Sequence, residues 1–347
     1  MQYFFNNIEK ADGYRKFGGY SSGTTVREKH IIIFKNHIPK KVNIYCKIRG
    51  IVIELFCKIV SFWVLNLSGV LYMKKFDGVL ICTDLDGTLL REDKTISREN
   101  IEAIEYFKGN GGLFTFITGR MPNFVYDIAN LIKPNAPIGC VNGGGLYDCK
   151  NKKYLWTSVM PDEVLDLIEC IDKKFPDVGI QTCTFGKTYF SKDNTTMKWF
   201  RRVTNAENFV CHYREVKEPI AKIIFGSDKD EEVLKIKETL EGHPLSDKFD
   251  FIRSEKVFYE ILPKGISKGT SIEKLCEKLN IDINKTIAIG DYNNDIPMFR
   301  AAKFGIAVEN ACPEALAAAD FITVSNEQNA VARVINDLEK GEYIGIL

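Results

Sequence analysis

The sequence predicts an α/β fold, a doubly wound parallel sheet with a smaller α+β module inserted into it. Three observations carry that expectation. From residue 73 onward, short uncharged runs alternate with segments of helical periodicity, which implies strands covered by helices on both faces. Several of the runs end in turns rich in glycine and carboxylates, where open α/β sheets place their ligand crevice. Between about residues 155 and 262 the alternation gives way to paired strand candidates, after which it resumes.

The first strand is the run Val79-Leu80-Ile81-Cys82-Thr83, uncharged as buried parallel strands are. Ser97 is placed to cap a helix over 98–108, and Gly109, Gly111 and Gly112 end it. A second strand is expected over 113–117, a helix over 122–132, and a third strand over 137–141 leading into Asn142-Gly143-Gly144-Gly145. In the insertion, 161–175 is amphipathic, 179–183 and 187–190 read as short strands, and 220–225 as another. A helix over 230–240 and a strand pair over 249–253 and 257–261 follow. Alternation then returns: helix 268–279, strand 286–289, helix 296–302, strands 305–308 and 321–323, and a final helix.

Residues 1–72 stand apart as an atypical N-terminal extension, polar and Gly-rich at first, then basic and apolar. The uncharged run 59–73 falls short of the roughly 18–20 residues that span a bilayer. The favoured expectation is that Met73 is the natural start and leads straight into the first strand. The rival expectation is a membrane anchor.

The chain has 347 residues with a formal net charge of +1, so bulk charge gives no case for a nucleic-acid partner. Its 10 cysteines include no CxxC pair and are expected to be reduced thiols in a cytoplasmic protein. His30, His37, His212 and His243 lie away from the carboxylate turns, which argues against a histidine triad or a zinc site.

Chemistry concentrates at the strand ends. Asp84 and Asp86, two residues apart and followed by Gly87, suit a nucleophile and an acid/base group for splitting a phosphate ester through an aspartyl-phosphate. An Asx turn would use the same residues. The Thr118 hydroxyl and the Gly119 N–H could donate to phosphate oxygens, although a helix N-cap would also place a Thr-Gly there. Lys268 opens a helix and can pair with phosphate while keeping a nucleophile ionised; Lys264 ranks second for that role. Asp291 and Asp295 bring further carboxylates to the 286–289 strand end. Asp84, Asp291 and the Asp86 carbonyl are candidate Mg²⁺ ligands, with Asp295 acting directly or through water.

Together these segments resemble the haloacid dehalogenase-like (HAD) hydrolases, specifically the Cof-type phosphatases with a type IIB cap. The resemblance rests on DLDGTLL (84–90), ITGR (117–120), NGG (142–144), ISKG (266–269) and GDYNND (290–295), and covers about residues 73–340. It implies a Rossmann-like core domain over 73–154 and 263–347, with a cap domain over 155–262. It implies Asp84 as nucleophile, Asp86 as acid/base, and Mg²⁺ held by Asp84, Asp86 and Asp291. Phosphate contacts are implied for Thr118, Gly119, Lys268 and Asn294, with Leu85 contributing its backbone. Asn142, with Gly143 beside it, resembles a position near the substrate mouth.

The expected activity is a Mg²⁺-dependent phosphatase of small phosphorylated metabolites, sugar phosphates first, then nucleotide or cofactor phosphates. Two alternatives remain: a phosphomutase of the phosphomannomutase-like type, and a non-catalytic metabolite-binding regulator. Inside the insertion, Lys198, Trp199, Arg201 and Arg202 are candidates to read a phosphate or sugar, but the favoured expectation is a solvated helix face with Trp199 packed inward. Oligomeric state and the identity of the substrate are not legible. For the N-terminus, mass spectrometry of the native protein should find no peptide from residues 1–72; such a peptide overturns the start at Met73.

Overall fold

A computed structural model describes residues 74–204, 206–343, 345 and 346. The apolar run 59–73 and the candidate start at Met73 lie outside the described residues. Among the described residues, no helix is long and apolar enough to cross a membrane.

A five-stranded, all-parallel sheet forms the base of the fold. Its strands are β1 (Leu80–Thr83), β2 (Leu113–Phe116), β11 (Thr286–Gly290), β12 (Phe304–Val308) and β13 (Phe321–Thr323). They lie in the order β13-β12-β11-β1-β2. The chain leaves β1 toward β2 on one side and later fills the other side outward from β11. The order therefore reverses between β1 and β11, and ligands bind at such reversals in open α/β sheets. Every residue of β1 and β11 is buried, which explains why both read as uncharged runs.

Helix α1 (Arg98–Gly109) begins where expected: the Ser97 hydroxyl accepts from the Asn100 N–H. Asn100 is itself fully buried, and its Oδ1 accepts from the Ala332 N–H at the start of the C-terminal helix (Ala330–Lys340). The expected helix over 122–132 is broken. A 3-10 turn over Pro122–Phe124 precedes α2 (Tyr126–Ile132), because Val125 departs from helical dihedrals.

A second, three-stranded antiparallel sheet follows, formed by β3 (Ile138–Cys140), β4 (Gly145–Asp148) and β5 (Lys153–Thr157). The hairpin of β4 and β5 was not expected from sequence. The expected domain boundary at 154/155 falls inside β5.

The insertion is a five-stranded antiparallel sheet in the order β7-β6-β8-β10-β9. Its strands are β6 (Gly179–Thr184), β7 (Thr188–Lys192), β8 (Ile220–Gly226), β9 (Phe249–Glu255) and β10 (Phe258–Pro263). Helices α3 (Val164–Lys174) and α5 (Asp230–Glu241) send Leu167, Ile168, Ile171, Val233, Ile236 and Leu240 into one apolar cluster with Ile180, Ile223, Phe225, Tyr259 and Ile261 of the sheet.

The cluster read around Trp199 lies on helix α4 (Thr195–Thr204), and its inward packing is corrected. Trp199 is 41% exposed, whereas Met197 is fully buried. Phe200 takes the partly buried position, edge-on to Phe258 and Phe124. Residues 197 and 200 share a helix face by their spacing of three, which turns position 199 away from it.

Helix α6 (Lys268–Leu279) has the expected bounds and packs on the short α7 (Ile296–Ala301). Gly269 permits the approach: a Cβ there would lie 2.5 Å from the Pro297 carbonyl oxygen. Gly269→Ala should therefore destabilise the fold by about 1–3 kcal/mol through overpacking. Because Lys268 is adjacent, activity should fall more than stability alone explains. Denaturant unfolding and turnover, measured together, check this.

Candidate active site

The carboxylate turn after β1 is clamped to its neighbours. The Asp84 N–H donates to the Ile289 carbonyl of β11 at 2.8 Å, and the Leu90 N–H returns to the Leu85 carbonyl at 2.8 Å. Gly87 has φ +78, and a Cβ there would lie 2.4 Å from an Asp291 carboxylate oxygen. The turn thus needs glycine for both its backbone and its closeness to Asp291. The Thr88 hydroxyl donates to Asp291 Oδ1 at 2.8 Å.

Lys268, 1% exposed, enters beneath this turn from the first position of α6. Its ammonium lies 2.7 Å from Asp84 Oδ1 and 2.6 Å from Asp295 Oδ1. The other Asp295 oxygen accepts from the Asp291 N–H at 2.9 Å and the Tyr292 N–H at 3.1 Å. Asp295 thereby shapes the turn after β11 and holds Lys268. Lys264 is mostly exposed and pairs with Asp250 at 2.9 Å, away from the carboxylates.

Burial pushes Asp84 well above the usual carboxylate range; Lys268 opposes this, while Asp295, Asp291 and Asp86 add to it. Asp291 is raised to about 6 by burial and then by the Asp295 charge. Burial lowers the proton affinity of Lys268, but Asp295 and Asp84 outweigh it and hold the ammonium above its ordinary value. Asp86 differs from the other carboxylates. Burial would raise it, but Arg120 and Lys94 outweigh that and hold it below the ordinary range. Arg120 grips it with both prongs, at 2.9 and 2.6 Å, and Lys94 lies 3.0 Å away.

The Thr118–Gly119 turn lies beside the loop that follows β3. Thr118 is 2% exposed, and its hydroxyl accepts from the Arg120 N–H at 3.2 Å, which leaves the hydroxyl hydrogen free to donate. The Asn142 N–H donates to the Thr118 carbonyl at 3.1 Å. A Cβ on Gly119 would lie 2.8 Å from Asn142 Oδ1. Asn142 is buried, and its Oδ1 accepts from Asn294 Nδ2 at 3.3 Å. Gly143 (φ +99) sits against α6; a Cβ there would lie 1.8 Å from the Ser267 carbonyl oxygen. Its observed contact is with backbone, which its resemblance to a substrate position did not suggest. Leu85 is fully buried in the core. Val141 and Asn142 both adopt left-handed dihedrals, at φ 56 and 52. This is a strained conformation for a β-branched valine, and such strain persists only where surrounding contacts fix it.

Four residues of this arrangement escaped the sequence reading. Arg120 was visible in the ITGR segment but was given no role, and nothing near Lys94 marks it. Lys222 and Glu260 did leave a signal: each is a lone charge inside an apolar strand. Lys222 Nζ donates to the Gly119 carbonyl at 3.0 Å and pairs with Glu260 at 2.9 Å.

The haloacid dehalogenase-like hydrolase family profile matches residues 81–335. The chain belongs to this family. Among its relatives is the 5-amino-6-(5-phospho-D-ribitylamino)uracil phosphatase YwtE of Bacillus subtilis. It is 30% identical over 293 residues, which span 76% of this chain and 99% of YwtE. A haloacid dehalogenase-like hydrolase of solved structure from Bacteroides thetaiotaomicron superposes with a TM-score of 0.67 at 26% identity, covering 75% of this chain and 99% of that one. The HAD subclass IIB sugar phosphatase BT4131 shares the fold at 22% identity and a TM-score of 0.65, covering 78% of this chain and all of its own.

Asp84, Asp291 and Asp295 each offer an oxygen, and these oxygens lie within 4.8 Å of one another. An all-oxygen, carboxylate-rich set fits a hard divalent cation such as Mg²⁺. The Asp86 carboxylate lies outside that group, turned to Arg120 and Lys94. Mg²⁺ should raise the melting temperature of the protein, and Asp291→Asn should lose most of that rise. The sign of the pH effect follows from Asp291: below its value of about 6 it carries a proton that a cation must displace. The Mg²⁺-induced rise should therefore shrink as pH falls through that value. Differential scanning fluorimetry with Mg²⁺ and with EDTA checks both.

Proposed function

We propose that this hydrolase is a Mg²⁺-dependent phosphatase of small phosphorylated metabolites, with sugar phosphates as the leading class. One observation carries the reading: Asp84 sits buried at the β1/β11 reversal, ion-paired to Lys268 and beside Asp291 and Asp295. The relative YwtE, named for a phosphorylated ribitylamino substrate, supports a polyol phosphate.

In the proposed reaction, an Asp84 carboxylate oxygen attacks phosphorus and the bond from phosphorus to the leaving oxygen breaks. Asp86 gives that oxygen its proton. In the second half Asp86 takes a proton from water, which attacks the aspartyl-phosphate and releases inorganic phosphate and the Asp84 carboxylate. Lys268 opposes the burial that favours a protonated Asp84, and the Thr118 hydroxyl and Gly119 N–H would bind phosphate oxygens, with Asn294 nearby. Asp84, Asp291, the Asp86 carbonyl and Asp295 would hold the cation, which when bound neutralises phosphate charge.

The Arg120 and Lys94 pairings favour ionised Asp86, the form that serves as base. Its acid form needs those contacts loosened, and an incoming phosphate dianion offers both cations another partner. The inserted module, about residues 155–262, acts as a cap that excludes water and meets the leaving group. A cytoplasmic location is part of this reading, supported by eight free cysteines among the described residues.

Phosphate release from a panel of phosphorylated sugars, nucleotides and cofactors tests the proposal. Release should require Mg²⁺, stop with EDTA and vanish in a folded Asp84→Asn protein. Undiminished turnover in that variant would sink the mechanism.

A further inference from the structure

One face of the inserted sheet carries charges that its own packing does not require. Alternation along β8 sends Ile223 and Phe225 into the apolar cluster under α3 and α5. Lys222 and Ile224 take the opposite face. Cross-strand register sets Glu260 opposite Ile224, so Glu260 shares that face. Lys222 and Glu260 are only 4% and 3% exposed. A buried pair of this kind is weak evidence for stability and asks for another reason.

Its contacts supply the reason. Lys222 Nζ donates to Glu260 Oε2 at 2.9 Å and to the Gly119 carbonyl at 3.0 Å. The same Oε2 accepts from Asn142 Nδ2 at 3.0 Å, and the Ser254 hydroxyl donates to Oε1 at 2.5 Å. Holding the Gly119 carbonyl fixes the peptide plane whose N–H, on Arg120, donates to the Thr118 hydroxyl. Holding the Asn142 amide fixes its Oδ1 toward Asn294. One arm thus ends on the turn assigned above to phosphate binding, and the other on Asn142, which accepts from the phosphate-assigned Asn294.

We propose that Lys222 and Glu260 are positioning residues: from the inserted sheet they lock the Thr118–Gly119 turn into phosphate-binding geometry and hold Asn142 against Asn294. The pocket is then complete only while the sheet is seated on it. This rests on the phosphatase reading for its consequence in catalysis, but the locking itself is a property of the two loops. The strained left-handed dihedrals of Val141, next to Asn142, are what such a lock would need to hold. Because the pair is neutral overall, it can orient the pocket without competing for the phosphate charge.

The test uses the full chain with three variants: Glu260→Gln, Lys222→Met combined with Glu260→Gln, and Lys222→Arg. The double variant leaves no unpaired buried charge, and Lys222→Arg keeps both donations and should restore function. Hydrogen exchange should accelerate at residues 117–121 and 141–144 in the double variant, while β11 and α6 keep their protection. Inhibition by inorganic phosphate should weaken about tenfold, and kcat/KM should fall about 100-fold, equally for p-nitrophenyl phosphate and a sugar phosphate. Glu260→Gln should show the same pattern more weakly, which keeps the test decisive if the double variant fails to fold. Unchanged exchange in both loops overturns the proposal. So does a loss confined to KM for one substrate with phosphate inhibition intact, because the pair would then read the leaving group. If the unaltered protein neither releases nor binds phosphate, the phosphatase reading fails, and exchange alone decides the lock.

Discussion

The ammonium of Lys268, sealed between Asp84 and Asp295, is the constraint on which the rest of the site depends. A lysine 1% exposed cannot remain charged without close anionic partners. Its two partners come from different parts of the chain, one after β1 and the other after β11. The interaction therefore ties α6 to both strand ends at the sheet's reversal. Asp295 then passes the constraint on, because its second oxygen binds the Asp291 and Tyr292 N–H groups and sets the turn that presents Asp291. Glycine is needed wherever these parts crowd. Gly87, Gly143 and Gly269 each stand where a Cβ would collide with a carboxylate or a carbonyl of the neighbouring segment.

Much of this was legible in the sequence, for physical reasons that differ by element. Buried parallel strands are uncharged on both faces, so 79–83 and 286–289 announced themselves, and the carboxylates after them marked the sheet's functional edge. Helix α6 was legible as a long periodic segment over 268–279, and the structure starts it after Ser267 and ends it at Asn280 in a left-handed cap. The β4–β5 hairpin was not readable. β5 is neither buried nor alternating, its five residues ranging from intermediate to exposed, and strand signals rest on one of those two patterns. Trp199 does not pack inward because helix phase gives the inner face to Met197 and Phe200, and a large apolar side chain off that phase stays exposed.

Asp86 shows why motif and geometry have to be read together. The sequence puts it two residues from Asp84 and says nothing of its partners. The structure turns it away from the carboxylate cluster, toward Arg120 and Lys94, and so divides the four aspartates into two electrostatic settings. Burial raises Asp84 and Asp291, whereas cations depress Asp86. Neighbouring carboxylates whose proton affinities are pushed apart are suited to separate roles, one group attacking and another moving protons.

The charge balance of the site also bears on what can enter it. Asp84, Asp86, Asp291 and Asp295 face Lys268, Arg120 and Lys94, which leaves one negative charge uncompensated. A phosphate dianion would meet repulsion there, in surroundings where burial strengthens every charge interaction. A divalent cation reverses the sign to one net positive, and a bound dianion then returns the site to one net negative. Cation and phosphate are each favoured by the presence of the other, which is the thermodynamic content of positive coupling between two ligands.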